Sequence, residues 1–139
     1  MKKIVSILSA MLIMASALTL TMTTTSCGDS STIEFKAAIA LANMRCPIDL
    51  GDGYVITKIY TKGNNLIYNC ECQTDLVESI NDPYGYEVAH DELLYFVMND
   101  RDTREFVELC VETKHNIVYR YVDNYGNSAN VVLKYHELE

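Results

Sequence analysis

The chain opens on an uncharged run from Ile4 to Gly28, largely apolar as far as Leu20, and only after it do apolar and polar positions begin to recur with a period. From Ser31 the period is helical. Ile33, Ala37, Ala40, Leu41 and Met44 stand three or four apart behind Ser31-Thr32-Ile33-Glu34, an S-x-x-E capping box that predicts a helix start. Cys46-Pro47 ends that helix, because proline lacks the N–H a further turn needs. Asp49 to Gly53, "DLGDG", predicts a turn. Tyr54 to Tyr60 is a β-branched and aromatic strand, Lys62 to Asn65 a hairpin turn, and Leu66 to Gln73 the return strand.

A middle segment follows, with a turn at Asn81 to Gly85. Leu93, Leu94 and Val97 then favour a helix over Tyr86 to Asp100, although "LLYFVM" from Leu93 to Met98 also fits a buried strand. Asp102-Thr103-Arg104-Glu105 is a second capping-box-like start, for a helix with Phe106, Val107, Cys110 and Val111 on one stripe. Asn116 to Val122 and Asn130 to Glu137 flank a turn at Asn124 to Asn127 as a second hairpin. Both ends therefore read helix, cysteine, strand, Gly-Asn turn, strand, and Cys46 to Gly63 spans 17 positions where Cys110 to Gly126 spans 16. The expectation is a degenerate αββ duplication: an α+β two-layer domain with a four-stranded antiparallel sheet and helices on one face.

Alternation assigns the sheet faces. Val55, Thr57 and Ile59, with Leu66, Tyr68, Cys70, Cys72, Ile117, Tyr119, Tyr121, Val131, Leu133 and Tyr135, should face the helices. Tyr54, Ile56, Lys58, Tyr60, Ile67, Asn69, Glu71, Val118, Arg120, Val122, Val132, Lys134 and His136 should face away. Tyr, Arg and aliphatic side chains on an open face have the composition of a protein-binding surface. Tyr54, Lys58, Tyr60, Asn69, Glu71, Arg120, Lys134 and His136 are thus its candidate contact residues. The competing explanation is strand propensity, with Lys58, Glu71, Arg120 and Lys134 pairing across strands.

The uncharged opening changes the compartment. Met1-Lys2-Lys3 is a positive n-region and Ile4 to Leu20 an apolar h-region, the pattern of an export signal. Thr23 to Ser31, "TTTSCGDSS", then puts Ser26-Cys27 at a small-residue-plus-cysteine junction that resembles a bacterial lipoprotein signal. Thr24 stands where the usual lipobox has an aliphatic residue, as in looser Bacteroidetes-type signals. That resemblance implies cleavage before Cys27, diacylglycerol on its thiol and a further fatty acyl chain such as palmitate on the new amino terminus. Two or three chains hold a protein firmly to a bilayer, where one holds only marginally. Cleavage after Ala15-Ser16-Ala17 and an uncleaved anchor are the alternatives. The expected organisation is a signal peptide over 1–26, an acylated cysteine and tether over 27–31, and one domain over 32–139.

The same segment removes Lys2 and Lys3 and none of the 19 acidic side chains, so a net charge of −8 becomes about −10. Such a surface repels phosphate backbones, which argues against nucleic-acid binding. Cys46-Pro47-Ile48-Asp49-Leu50-Gly51, Tyr119-Arg120-Tyr121 and the closing Glu137-Leu138, with Ser26-Cys27, resemble a family of small Bacteroidetes lipoproteins of no established activity. The resemblance implies a cell-envelope location, with the outer membrane as the expected site, and a compact α+β domain. The helix-plus-hairpin repeat is also similar to the β-lactamase-inhibitor-like architecture, in which an open sheet face contacts a partner protein.

Four cysteines remain: Cys46, Cys70, Cys72 and Cys110. Cys70 and Cys72 share a strand face roughly 6.5 to 7 Å apart, too strained to pair with each other, so each would pair with a helix-end cysteine if bridges form. Buried free thiols, a redox-active C-x-C and a thiolate metal site are the other readings. His90-Asp91-Glu92 lacks the second histidine of a zinc-protease helix, and Asp100, Asp102 and Glu105 lack calcium-loop spacing. No nucleophile elbow, phosphate loop or dinucleotide fingerprint appears, and His115 and His136 have no nucleophile nearby in sequence. No cofactor and no enzyme activity are expected. The sequence points to a lipid-anchored envelope binding module with the membrane, through Cys27, and an envelope protein as partners. An inhibitor of an exported enzyme and a thiol-redox or metal-handling protein using Cys70 and Cys72 are the alternatives.

Overall fold

The computed structural model describes residues 30–101 and 103–139. Helix α1 (Ser30–Met44) leads into strand β1 (Ile48–Gly51) and the hairpin β2 (Tyr54–Lys62) and β3 (Asn65–Glu71). Three helices follow, α2 (Thr74–Asn81), α3 (Pro83–Asn99) and α4 (Arg104–Glu112), and then the hairpin β4 (Asn116–Val122) and β5 (Ser128–Leu133) and a 3₁₀ turn (Tyr135–Glu137). The domain is α+β in two layers, a helix preceding a hairpin at each end.

The sheet has five strands in the order β1-β2-β3-β4-β5, and β3 runs parallel to β4 where an all-antiparallel, four-stranded sheet was expected. Both differences have local causes. Three helices join β3 to β4, a crossover that carries the chain from the end where β3 finishes back to the end where it began, so the two adjacent strands run the same way. The extra strand, Ile48–Gly51, takes in the first three residues of the turn expected at Asp49 to Gly53; it pairs with β2 through Ile48↔Ile56 and Asp49↔Val55. It is short, and its register slips between Asp49 and Gly51, which blunts a sheet edge against further pairing. The opposite edge is covered by the helices: Val132 N donates to Tyr86 Oη (3.5 Å) and Asn81 Nδ2 to Ser128 O (3.2 Å).

Helix α1 buries Phe35, Ala38, Ile39 and Ala42, so the expected stripe through Ile33, Ala40 and Met44 is rotated. Ile33 is 45% and Met44 79% exposed. The Phe35 ring selects the face: it lies 4.4 Å from the His115 ring and 6.3 Å from Phe106 of α4, an area of burial no alanine or methionine stripe matches. Ser31 is the second of the helix's described residues, one position from the expected start. The segment Asn81–Gly85 is helix end and helix start at once. Asp82 N donates to the carbonyls of Glu78 and Ser79 to close α2, while its carboxylate accepts from Tyr84 N and Gly85 N (both 3.1 Å) to open α3, with Pro83 at the first helical position. Helix α3 settles Leu93–Met98 as helical, with Ala89, Leu93 and Val97 buried. Phe106, Val107 and Cys110 of α4 are buried as expected; Asp102, part of the proposed cap, lies outside the described residues.

Candidate functional site

The face of the sheet turned from the helices is built by strand register. Tyr60, Ile67, Val118 and Val132 are consecutive partners across β2, β3, β4 and β5, and form one apolar row. The next row outward is Lys58, Asn69, Arg120 and Asn130. Ile67 and Val118 are 8% and 7% exposed, yet they stand outside the cluster the helices pack against.

The polar row is wired together. Arg120 Nη1 donates to Asn69 Oδ1 (2.7 Å), Asn69 Nδ2 donates to Thr57 Oγ1 (2.8 Å), and Thr57 Oγ1 donates back to Asn69 O (3.3 Å). Lys58 Nζ sits 4.8 Å over the Tyr60 ring, and Asn116 Nδ2 donates to Asn65 Oδ1 (3.0 Å) beyond the apolar row. Holding a guanidinium by a neutral amide, with no carboxylate bonded to it across the row, fixes its direction and leaves its charge to be matched from outside.

Tyr54, an expected member of this face, is instead in the core at 3% exposure, together with Ile56. A β-bulge is the reason. Ile56 pairs with Cys70 and Lys58 with Asn69, two steps on β2 against one on β3, so the alternation of faces reverses at Thr57. Asn43 of α1 supports the bend, its Oδ1 accepting from Ile59 N (3.0 Å). Downstream of the bulge Ile59 faces in and Lys58 and Tyr60 face out, as expected; upstream, Val55 and Thr57 have exchanged faces with Tyr54 and Ile56. Lys134, His136 and Tyr135 leave the sheet because β5 ends at Leu133; Tyr135 and His136 lie in the 3₁₀ turn, whose start is tied when Glu137 Oε2 accepts from Lys134 N (2.8 Å). Glu71 is exposed at the end of β3. The structure thus brings Lys58, Tyr60, Asn69, Glu71 and Arg120 onto one face and removes the other three expected members from it.

The four cysteines are free thiols. Burial pushes Cys70 up to about 12, with Cys72 beside it adding to the shift, and burial alone takes Cys110 to about 12. Cys72 rises to about 11 through burial and then the nearby Asp123 and Asp75; Cys46 is raised by burial and donates weakly to Ala42 O (3.8 Å). The thiolate is the nucleophile and the metal ligand, so thiols held this far above neutral pH are poor at either task. Among the described residues no group of His, Cys, Asp and Glu is arranged to hold a metal ion. His90, rather than forming a dyad, links α3 to the 3₁₀ turn through Glu137 (3.3 Å) and touches exposed Asp91 (3.2 Å). Cys27 lies outside the described residues, and among those described no helix is long and apolar enough to cross a membrane.

No protein-family model matches the chain, and no curated protein matches it by sequence. Its fold is similar to that of a Pseudomonas aeruginosa protein described as secreted, at 10% identity and a TM-score of 0.59 over 81% of this chain and 100% of that one. It is also similar to the type II secretion system pilotin of Vibrio vulnificus (9% identity, TM-score 0.53, 78% of this chain and 92% of that one). The pilotin of the Vibrio cholerae type II secretion system stands at 11% identity and a TM-score of 0.50, over 77% and 91%. At such identities the likeness is one of fold.

Proposed function

We propose that this chain is a lipid-anchored protein of the bacterial cell envelope that works by non-covalent contact, through the sheet face turned from its helices, on another envelope protein. The observation that carries the reading is the apolar row Tyr60–Ile67–Val118–Val132 beside a fixed Arg120, an apolar centre with a polar, directional border. Fold neighbours named for a secretion system, or as secreted, support an envelope setting and a role without catalysis. The export signal and Ser26-Cys27 support attachment through an acylated Cys27, with the outer membrane as the proposed site and a Bacteroidetes-type lipoprotein as the proposed kinship. Inhibition of an exported enzyme is one form of the same contact. Burial of Cys70 and Cys72 weighs against the thiol-redox and metal-handling alternative.

Photo-crosslinking from Tyr60 or Glu71 in the native membrane, with Glu78 on α2 as the control, tests this. A discrete adduct from the sheet positions, lost in Arg120→Ala, is expected. Adducts equal from Glu78, or none from the sheet face, overturn it. Mass spectrometry of the native polypeptide tests the anchor: a mature chain that begins at an unmodified Cys27, or before it, removes it.

A further inference from the structure

A second concave surface lies among the helices. It is a cleft of about 470 Å³ between the end of α3, one face of α4 and the chain after the 3₁₀ turn. Its floor is apolar: Val97, Val107 and Leu138 are 3%, 7% and 4% exposed, with Val111 one turn beyond Val107. Met98, 40% exposed, stands at the margin, a flexible apolar side chain able to follow the shape of what it meets.

The border is acidic. Glu108 and Glu112 are one turn apart on the cleft side of α4, and Asp100 faces them from the end of α3, against one cation, Arg104. Like charges four residues apart on a helix repel, at a cost of roughly 0.2–0.5 kcal/mol. Among the described residues neither Glu108 nor Glu112 has a basic side chain within ion-pair distance. Glu108 and Glu112, without a basic partner beside an apolar trough, are matched by one kind of occupant: aliphatic groups for the floor with cationic groups four residues apart for the border.

We propose that this cleft docks a short basic amphipathic helical segment of a partner protein, its aliphatic side chains on Val107, Val111 and Leu138 and its Lys or Arg side chains on Glu108 and Glu112. The cleft belongs to the helical layer, so the site is separate from the sheet face and does not depend on that reading. The volume accommodates a few side chains rather than a whole domain.

The probe is a fluorescent synthetic helix of Leu and Lys in amphipathic order, titrated against the full chain in phosphatidylcholine nanodiscs with empty discs as the blank. Saturable binding is expected, weakened about tenfold by Glu108→Lys with Glu112→Lys and weakened likewise by Val111→Asp, with circular dichroism confirming that each variant is folded. Charge reversal elsewhere, Glu78→Lys with Glu87→Lys, should change the affinity less than twofold, and Arg120→Ala should leave it unchanged. Equal weakening by the two charge-reversed pairs, equal binding of an all-Lys peptide, or absence of saturation overturns the proposal: attraction would then be to net charge and not to this cleft.

Discussion

His90 Nε2 lies 3.3 Å from a carboxylate oxygen of Glu137, a bond between the middle of α3 and the 3₁₀ turn that places Leu138 against the core. Burial by itself would raise the Glu137 carboxyl, but the N–H of Lys134 and the His90 side chain outweigh it and hold the group below its ordinary 4.5. A carboxyl lowered by folding adds stability that is complete above its unfolded value and is lost as pH falls through the folded one. Thermal melts are therefore expected to fall below about pH 4.5. Glu137→Gln should lower the melting temperature at neutral pH and reduce its acid dependence; an unchanged acid slope in that variant counts against the linkage.

The wired polar row makes a stability prediction separate from binding. Asn69→Ala leaves Arg120 Nη1 without its acceptor and removes the bond Thr57 Oγ1 accepts, though Thr57 keeps its donation to the residue 69 carbonyl; the change is expected to cost about 1–2 kcal/mol in urea denaturation. Combining it with Arg120→Ala should cost less than the two single losses added, because the same bond is removed twice. Strict additivity would mean that the two side chains do not interact in solution.

Gly85 has a stricter requirement than its place in a helix suggests. A Cβ there would stand 1.9 Å from the carbonyl oxygen of Ser79, backbone that cannot swing aside. Gly85→Ala is expected to destabilise by about 3 kcal/mol despite alanine's better helix propensity. A neutral or stabilising effect would show that α2 and α3 are less tightly apposed than the structure has them.

Thiol labelling offers a fourth check. With Cys70 and Cys110 held near 12 and both fully buried, neutral iodoacetamide should leave them unmodified in the folded protein and alkylate them once urea unfolds it. Cys46, partly exposed, should react first. Rapid native labelling of Cys70 would reopen the redox reading.

The two hairpins, α1, α4 and the α+β class were legible because each rests on local signals: Gly-Asn turns, β-branched alternation, and apolar positions three or four apart. The faces of β3 and β4 were legible for the same reason, and with them Asn69 and Arg120 on one side and Cys70 and Tyr121 on the other. Tyr54 was misplaced because a bulge changes alternation without changing composition; it follows from the bend of β2 over α1, where Asn43 meets Ile59. Helix α2 was missed because its eight residues bury only Leu76, Val77 and Ile80, too few to stand out before α3 packs against them.

What the sequence by itself determined is the inventory: an acidic chain, with helices and strands in nearly their observed order. Only the tertiary structure decided that β3 and β4 run parallel, that Phe35 and not Met44 faces inward, and that Glu108, Glu112 and Leu138 border one cleft. Periodicity encodes which side of an element is apolar. It carries no information about which distant element lies opposite, and that is fixed only when crossover length, ring packing and backbone bends are satisfied together.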